Sequence, residues 1–494
     1  MLQCLYALSP ITPQKITSRR STVARWRYLR LDWRRVANWS IFAHQFRCNF
    51  SANFSVSNPK YNRWRWAFSA RNCPQSIPVS RYQHCVDYHR NSRHRRISSR
   101  IMKKKIIETV RLDKIVPGGQ SIGILPDGRK IFVWGALPNE TARVELTKMK
   151  KSYAEGIAIE ILESASERIA PRDHDAYLST SPWQVMNYRY ELQQKSLLIK
   201  EAFAQEHIAI DAPEIITDSQ EFSYRNKMEY SLWWDNDTKE ISLAFHKRGS
   251  HQKIPITSSS IERSEIFTEA QRIVAKLNAE NNEARRYQSL MIRCNQNGKV
   301  SSALFENYKP RPVMKNLRDN LLGYEYSYSP NGFFQINLPI YEMALMEMQK
   351  RLSNAKKVVD MYAGVGTIGL SIARDRELTL VETDSNAFRE MEKNITHDMK
   401  NISAIHTKSE EALEYITDDI TLILDPPRAG LDEKVTARIL ETKPSRVIYL
   451  SCNPITQVRD IARLLPEYKI VHTQGFNFFP RTPHIENLVV LEKS

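Results

Sequence analysis

The chain has 494 residues and a formal net charge of +17, with 72 Lys and Arg against 55 Asp and Glu. Residues 1–101 hold 19 of the basic residues against only Asp32 and Asp87, so the whole excess lies there and the remainder is balanced. No run approaches about 18 consecutive apolar residues, which excludes a membrane-spanning helix, and residues 102–494 hold only Cys294 and Cys452, which excludes a disulfide framework there and suits a reducing compartment.

Residues 1–101 also lack Gly and Glu, prefer Arg to Lys, and carry five of the nine Trp and four of the six Cys. That is not the composition of an ordinary folded domain. Two readings are open: an Arg- and Ser-rich organellar leader, or a non-native upstream extension with the functional start at Met102-Lys103-Lys104-Lys105. The second is favoured, and no nucleic-acid binding is inferred from the +17.

Residues 102–164 read as a small all-β module. Strands such as Lys130–Trp134 and Thr141–Leu146 lie between the turn signals Pro117-Gly118-Gly119, Pro126-Asp127-Gly128 and Pro138-Asn139. This spacing predicts a five-stranded barrel of the oligonucleotide-binding type. Lys148, Lys150, Lys151 and Tyr153 are candidate RNA contacts, although any one lysine in such a hairpin is more often simply solvated. Residues 165–330 predict a linking helix from Asn187 followed by a central β-containing domain, with strands over Met228–Trp234 and Ile241–Phe245. Arg225, Lys227, Lys247 and Arg248 are its candidate phosphate contacts, with a bland surface role weighing against the last two.

Residues 331–494 predict an α/β domain. Val358-Val359-Asp360-Met361 is an apolar strand running into Tyr362-Ala363-Gly364-Val365-Gly366, where glycines let the backbone approach a nucleoside at the edge of a parallel sheet. Glu382 ends a second strand 22 residues after Asp360, where a carboxylate can accept both ribose hydroxyl protons. A dinucleotide enzyme would fit equally well up to this point. The loop lacks the full three-glycine fingerprint, however, and Asp425-Pro426-Pro427-Arg428 closes a third apolar strand. Both features favour S-adenosylmethionine, which has no pyrophosphate to cradle.

Tyr449-Leu450-Ser451-Cys452-Asn453-Pro454 then places a cysteine in a strand-to-loop turn, and Phe479-Pro480-Arg481-Thr482-Pro483-His484-Ile485-Glu486 places a late carboxylate. A lone cysteine is more often inert than reactive. In this combination Cys452 is a candidate covalent nucleophile and Glu486 a candidate proton acceptor. The order and wording of the three segments resemble the RNA (uracil-5-)-methyltransferases, over roughly residues 105–494.

The resemblance implies a Rossmann-like class I methyltransferase domain (331–494) behind a TRAM RNA-binding barrel (102–164) and a central domain (165–330). It implies S-adenosylmethionine contacts from Gln335, Tyr362, Thr367, Glu382 and Asp425, with Thr367 standing where relatives often have Asn, and a weaker one from Ser409. Many relatives carry cluster-binding cysteines where this chain reads Asp173–Trp183; with two cysteines after residue 102, an iron–sulfur cluster is excluded by counting. Packing by Trp183 and Tyr188 is expected to hold that region instead. The implied reaction adds the Cys452 thiolate to carbon 6 of uracil, methylates carbon 5, and uses Glu486, at its ordinary pKa near 4.3, to remove the carbon-5 proton from a flipped-out base. Which cation lowers the Cys452 pKa is not legible. Arg428 is expected either to fix the base or cofactor or to form a structural ion pair. The barrel favours 23S ribosomal RNA over transfer RNA, acted on by a cytoplasmic monomer. A cytosine-5 enzyme is disfavoured by the missing second Pro-Cys motif, an exocyclic-amine enzyme by Arg428, and a non-catalytic RNA-binding or RNA-folding protein of the same fold stays open.

Overall fold

Five strands, β1 (Ile107–Ile115), β2 (Ser121–Ile124), β3 (Lys130–Trp134), β4 (Thr141–Met149) and β5 (Tyr153–Glu163), close into a barrel in the order β1-β2-β3-β5-β4. Every other residue turns inward, so Val110 and Leu112, Ile131 and Val133, and Ala142 and Val144 fill one small core. β3 pairs in parallel with β5, and β4 pairs back onto β1 to complete the closure. The computed structural model describes residues 105–352 and 354–494, and the reading of residues 1–101 lies outside them.

A single helical turn α1 (Tyr177–Thr180) leads to helix α2 (Tyr188–Gln205), whose amino end is capped by Asn187 Oδ1 accepting from the Tyr190 amide at 2.8 Å. The short strand β6 (Ile215–Ile216) follows. Beyond it, β7 (Lys227–Trp234), β8 (Ile241–His246), β9 (Lys253–Pro255), β10 (Ser289–Cys294), β11 (Val300–Glu306) and β12 (Lys309–Arg311) form one sheet in the order β12-β11-β10-β7-β8-β9. Helix α3 (Ser264–Ala279) covers it with Ile266, Ala270 and Leu277.

The hairpin β13 (Leu317–Leu321) and β14 (Tyr324–Tyr328) and helix α4 (Leu338–Arg351) open the carboxyl-terminal domain. Its sheet runs β17-β16-β15-β18-β19-β21-β20-β6, built from β15 (Lys357–Met361), β16 (Glu377–Glu382), β17 (Ile402–His406), β18 (Ile420–Leu424), β19 (Arg446–Ser451), β20 (Tyr468–Phe476) and β21 (Glu486–Lys493). The first five strands in that order are parallel, and β21 is antiparallel between β19 and β20. Both faces are buried, which explains the near-continuous apolar strands. Val447, Tyr449, Val489 and Leu491 face one core, and Ile448, Leu450, Leu488 and Val490 face the other. Helices α5 (Thr367–Ile372), α6 (Ser385–Asn394), α7 (Glu433–Thr442) and α8 (Pro454–Leu464) flank the sheet.

Segments that precede residue 331 also build the carboxyl-terminal core. Leu198, Ile199, Ala202 and Phe203 of α2, with Ile215 of β6, pack into the carboxyl-terminal core, and so do Leu317, Leu321, Tyr326 and Tyr328 of the hairpin. The apolar faces of both segments find their complement on the carboxyl-terminal sheet rather than on the central one. Among the described residues no helix is long and apolar enough to cross a membrane.

Candidate active site

Strand polarity assembles the site. Parallel strands deliver Tyr362, Glu382, Asp425 and Cys452 just at or beyond their carboxyl ends, and β21, being antiparallel, delivers its first residue, Glu486, to the same edge. Met361 pairs with Val381 and with Leu424, so Tyr362 stands between Glu382 and Asp425 in register. Ser451 pairs with Asn487, which makes Cys452 and Glu486 the next cross-strand neighbours. Directly opposed residues have Cβ atoms about 5 Å apart. Gln335 arrives separately, from the loop before α4.

At the nucleoside end, the Glu382 carboxylate accepts the amides of Gly364 (2.8 Å), Thr383 (2.8 Å) and Asp384 (2.6 Å), which fixes it at the edge. Gly366 (φ +87°) adopts a left-handed conformation, and a side chain there would strike Leu370. A Cβ on Gly364 would meet nothing within 4 Å, so open space lies over the loop. Tyr362 holds a positive φ of 66° and is hydrogen-bonded to Ser409. The Thr367 hydroxyl is already engaged with Tyr341 at 2.9 Å. Beneath the loop, fully buried Asp360 accepts the Gly369 amide at 2.8 Å while its other oxygen has no partner among the described residues. Burial pushes its carboxyl up to about 8. An acid fixed for a diol, glycines with free space over them and acidic groups suited to a cation fit S-adenosylmethionine.

At the reacting end, burial pushes the Cys452 thiol up to about 11; Glu486 and Asp425 act in the same direction, and Arg428 opposes them. Glu486 is buried, and desolvation followed by repulsion from Asp425 lifts its carboxyl well above the usual range. Asp425 itself is pushed to about 7 by burial. The expectation of an ordinary Glu486 is therefore corrected: the tertiary fold removes it from water and sets it beside a second acid. Arg428 is the cation that the sequence left unidentified. Its carbonyl accepts from Asn453 Nδ2 (2.9 Å) and Thr456 Oγ1 (3.0 Å), tying its loop to the Cys452 loop, while its guanidinium donates to His484 Nδ1 at 3.2 Å.

Residues 311–494 match the family model described as tRNA (Uracil-5-)-methyltransferase. Over that stretch the chain is similar to the RNA (uracil-5-)-methyltransferase family. It is similar to an uncharacterised RNA methyltransferase of Fusobacterium nucleatum, 26% identical over 467 residues (81% of this chain, 98% of the relative). A similar match is an uncharacterised RNA methyltransferase of Bacillus cereus, 27% identical over 445 residues (77% and 96%). Its fold is shared with the Pyrococcus abyssi tRNA (uracil-54, C5)-methyltransferase solved with S-adenosyl-L-homocysteine, at a TM-score of 0.60 and 21% identity, covering 77% of this chain and 99% of that one. The protein is thus an RNA methyltransferase of the S-adenosylmethionine-dependent, uracil-5 type.

Further residues of this uracil-5-methyltransferase brace the site, and of these Lys195, Glu191 and Arg293 were not singled out in the sequence. Fully buried Lys195 pairs with Glu191 at 2.9 Å and donates to Asn477 Oδ1 (2.5 Å) and the Phe479 carbonyl (3.1 Å). Glu191 also accepts the Arg481 amide at 3.0 Å, and the Arg481 guanidinium donates to the Met186 carbonyl at 2.6 Å. This network fixes the loop that leads into Glu486. The barrel reaches the same loop, because Trp183 Nε1 donates to the Gly119 carbonyl at 3.0 Å and a side chain on Gly119 would collide with Pro483. Fully buried Arg293 donates to the carbonyls of Phe334 (2.7 Å) and Gln335 (3.2 Å) and so sets the Gln335 loop. Its signal was a lone charge in the apolar run Leu290–Cys294.

Several candidate phosphate ligands are otherwise engaged. Lys227 donates to the carbonyls of Asn331 (3.2 Å) and Gly332 (3.3 Å), and burial lowers its ammonium to about 8. Arg248 lies over the Trp134 ring at 4.2 Å, and Lys148 pairs with Glu155 at 2.6 Å. Lys150, Lys151 and Lys247 are exposed. In the stretch Asp173–Trp183, Asp173 accepts from Gln184 Nε2 (2.8 Å) and Ser260 Oγ (2.8 Å).

Proposed function

We propose that the protein methylates carbon 5 of a uridine in 23S ribosomal RNA through a covalent Cys452 adduct. The observation that carries the covalent reading is the cross-strand placement of Cys452 opposite Glu486, both within the influence of Arg428. The thiolate forms a bond to carbon 6, and the carbon 5–carbon 6 π pair moves so that negative charge rests on the 4-oxygen. S-Adenosylmethionine, which Gln335, Tyr362, Thr367, Glu382 and Asp425 would hold, would supply an electrophilic methyl group; carbon 5 takes it as the 4-carbonyl re-forms, and the electron pair of the broken sulfur–methyl bond stays on sulfur, leaving S-adenosylhomocysteine. Glu486 then removes the carbon-5 proton, the carbon 5–carbon 6 double bond returns and Cys452 leaves as thiolate. A Glu486 lifted by burial is the stronger base once ionised.

The barrel, taken as a TRAM module, supports ribosomal RNA. Transfer RNA is the second reading, favoured by the Pyrococcus tRNA enzyme, 99% of which is covered in the structural match. The protein is proposed to act as a cytoplasmic monomer without an iron–sulfur cluster, which the two cysteines after residue 102 support. In the test, 23S ribosomal RNA and tRNA transcripts carrying 5-fluorouridine are incubated with enzyme and S-adenosylmethionine. The wild type becomes covalently trapped on the cognate RNA, because fluorine at carbon 5 cannot leave as a proton, and Cys452→Ala does not. Undiminished turnover by Cys452→Ala refutes the covalent route, and loss of 5-methyluridine from tRNA alone in cells lacking the protein refutes the ribosomal assignment.

A further inference from the structure

Arginine has no acceptor atom, so the 3.2 Å contact between Arg428 Nη2 and His484 Nδ1 fixes its own direction: the arginine donates and Nδ1 accepts. The ring proton of neutral His484 therefore sits on Nε2. That atom has no partner among the described residues, and on the half-buried ring it is not sealed from solvent. The edge of the ring is steadied against Phe479 at 5.5 Å. Burial and the charges of Arg428, Lys195, Arg225 and Arg248 lower its pKa to about 4, so it stays neutral at working pH and is a poor candidate for either an acid or a charged base.

We infer that His484 is the neutral hydrogen-bond donor that holds the negative charge on the uracil 4-oxygen, with Arg428 polarising the imidazole from behind. His484 stands two residues before Glu486, and Arg428 acts on His484, Glu486 and Cys452 alike. Cys452 and Glu486 oppose one another across β19 and β21, and His484 lies on the Glu486 side, two residues earlier in the chain. Along the ring the order is carbon 6, carbon 5, 4-oxygen. Neutral imidazole donating to a developing enolate is an established catalytic device. The charge forms twice, once when sulfur bonds to carbon 6 and again when Glu486 takes the carbon-5 proton before sulfur departs, so one donor serves both halves. The inference rests on the covalent reading given above.

His484→Phe keeps a ring against Phe479 and removes the donor, whereas His484→Gln retains an N–H. The rate of covalent trapping on cognate 5-fluorouridine RNA should fall about 10²–10³-fold in His484→Phe and recover in part in His484→Gln, with cofactor and RNA dissociation constants unchanged. Trapping at the wild-type rate by His484→Phe overturns the assignment. So does accumulation of a methylated adduct on ordinary uridine RNA, which would make His484 the base, and so does loss of cofactor binding in both variants, which would make it structural. Cys452→Ala is run in parallel. Wild-type methylation by that variant sinks the covalent reading itself, whereas an inactive Cys452→Ala beside a fully reactive His484→Phe sinks only the present inference.

Discussion

In the free enzyme Cys452 should be an unreactive thiol, and alkylation measures this directly. With its pKa pushed to about 11, the thiolate fraction at pH 7.5 is about 3 × 10⁻⁴, against roughly 0.1 for an unperturbed thiol near 8.5. That is a deficit of about 300-fold. A more basic thiolate is intrinsically more nucleophilic, with a Brønsted slope of about 0.4–0.5, which restores about tenfold. Iodoacetamide should therefore modify Cys452 about 30-fold more slowly than a free thiol, with a rate rising tenfold per pH unit and no plateau near 8–9. The rate is read from the Cys452 peptide by mass spectrometry, since five other cysteines are present. Glu486→Gln removes the largest charge opposing ionisation and should speed the reaction, and Arg428→Met should slow it. A plateau at or below pH 8.5 in the wild type would refute the reasoning, because it would mean that the fold ionises the thiol before RNA and the sulfonium arrive.

Glu486→Gln should stall after methyl transfer and accumulate a protein–RNA adduct bearing labelled methyl; multiple turnover at the wild-type rate would assign the base elsewhere. Asp360, lifted to about 8 by burial from an unfolded value near 3.9, keeps a proton that the unfolded chain releases. Its contribution to stability is full below about pH 4 and is lost as pH rises towards 8. Asp360→Asn should accordingly raise the melting temperature at pH 8.5 and change it little at pH 4.5; parallel pH dependences for the two proteins would contradict this. Lys195→Met leaves Glu191 with one fewer buried partner and should destabilise by about 3–5 kcal/mol, seen as a lower urea midpoint together with reduced methylation. An unchanged midpoint would mean that Arg481 alone satisfies Glu191. A chain beginning at Met102 should keep full methylation of its RNA, and loss of activity would show that residues 1–101 contribute.

Much of the architecture was legible because it is written in local chemistry. Alternating apolar residues between Gly- and Pro-bearing turns define the barrel strands, and apolar runs ending in Asp360, Glu382 and Asp425 define a parallel sheet with acids at its edge. Cys452 and Glu486 were singled out as candidates by their segments. That they oppose one another was not, since it depends on β21 inserting antiparallel beside β19 and on the register Ser451–Asn487.

The sequence alone determined which groups are available: one thiol in a strand-to-loop turn, one late carboxylate and the acids that end the strands. Only the tertiary structure decided their chemical state, because desolvation and charge proximity depend on atoms distant in the chain. Glu486 was expected at its ordinary pKa, yet burial and Asp425 raise it. Arg428 was an ambiguous charge until the fold set it beside Cys452 and against His484. Lys195 and Glu191 come from a helix and Arg481 from a loop far along the chain, and they form a buried network only when α2 docks on the carboxyl-terminal sheet.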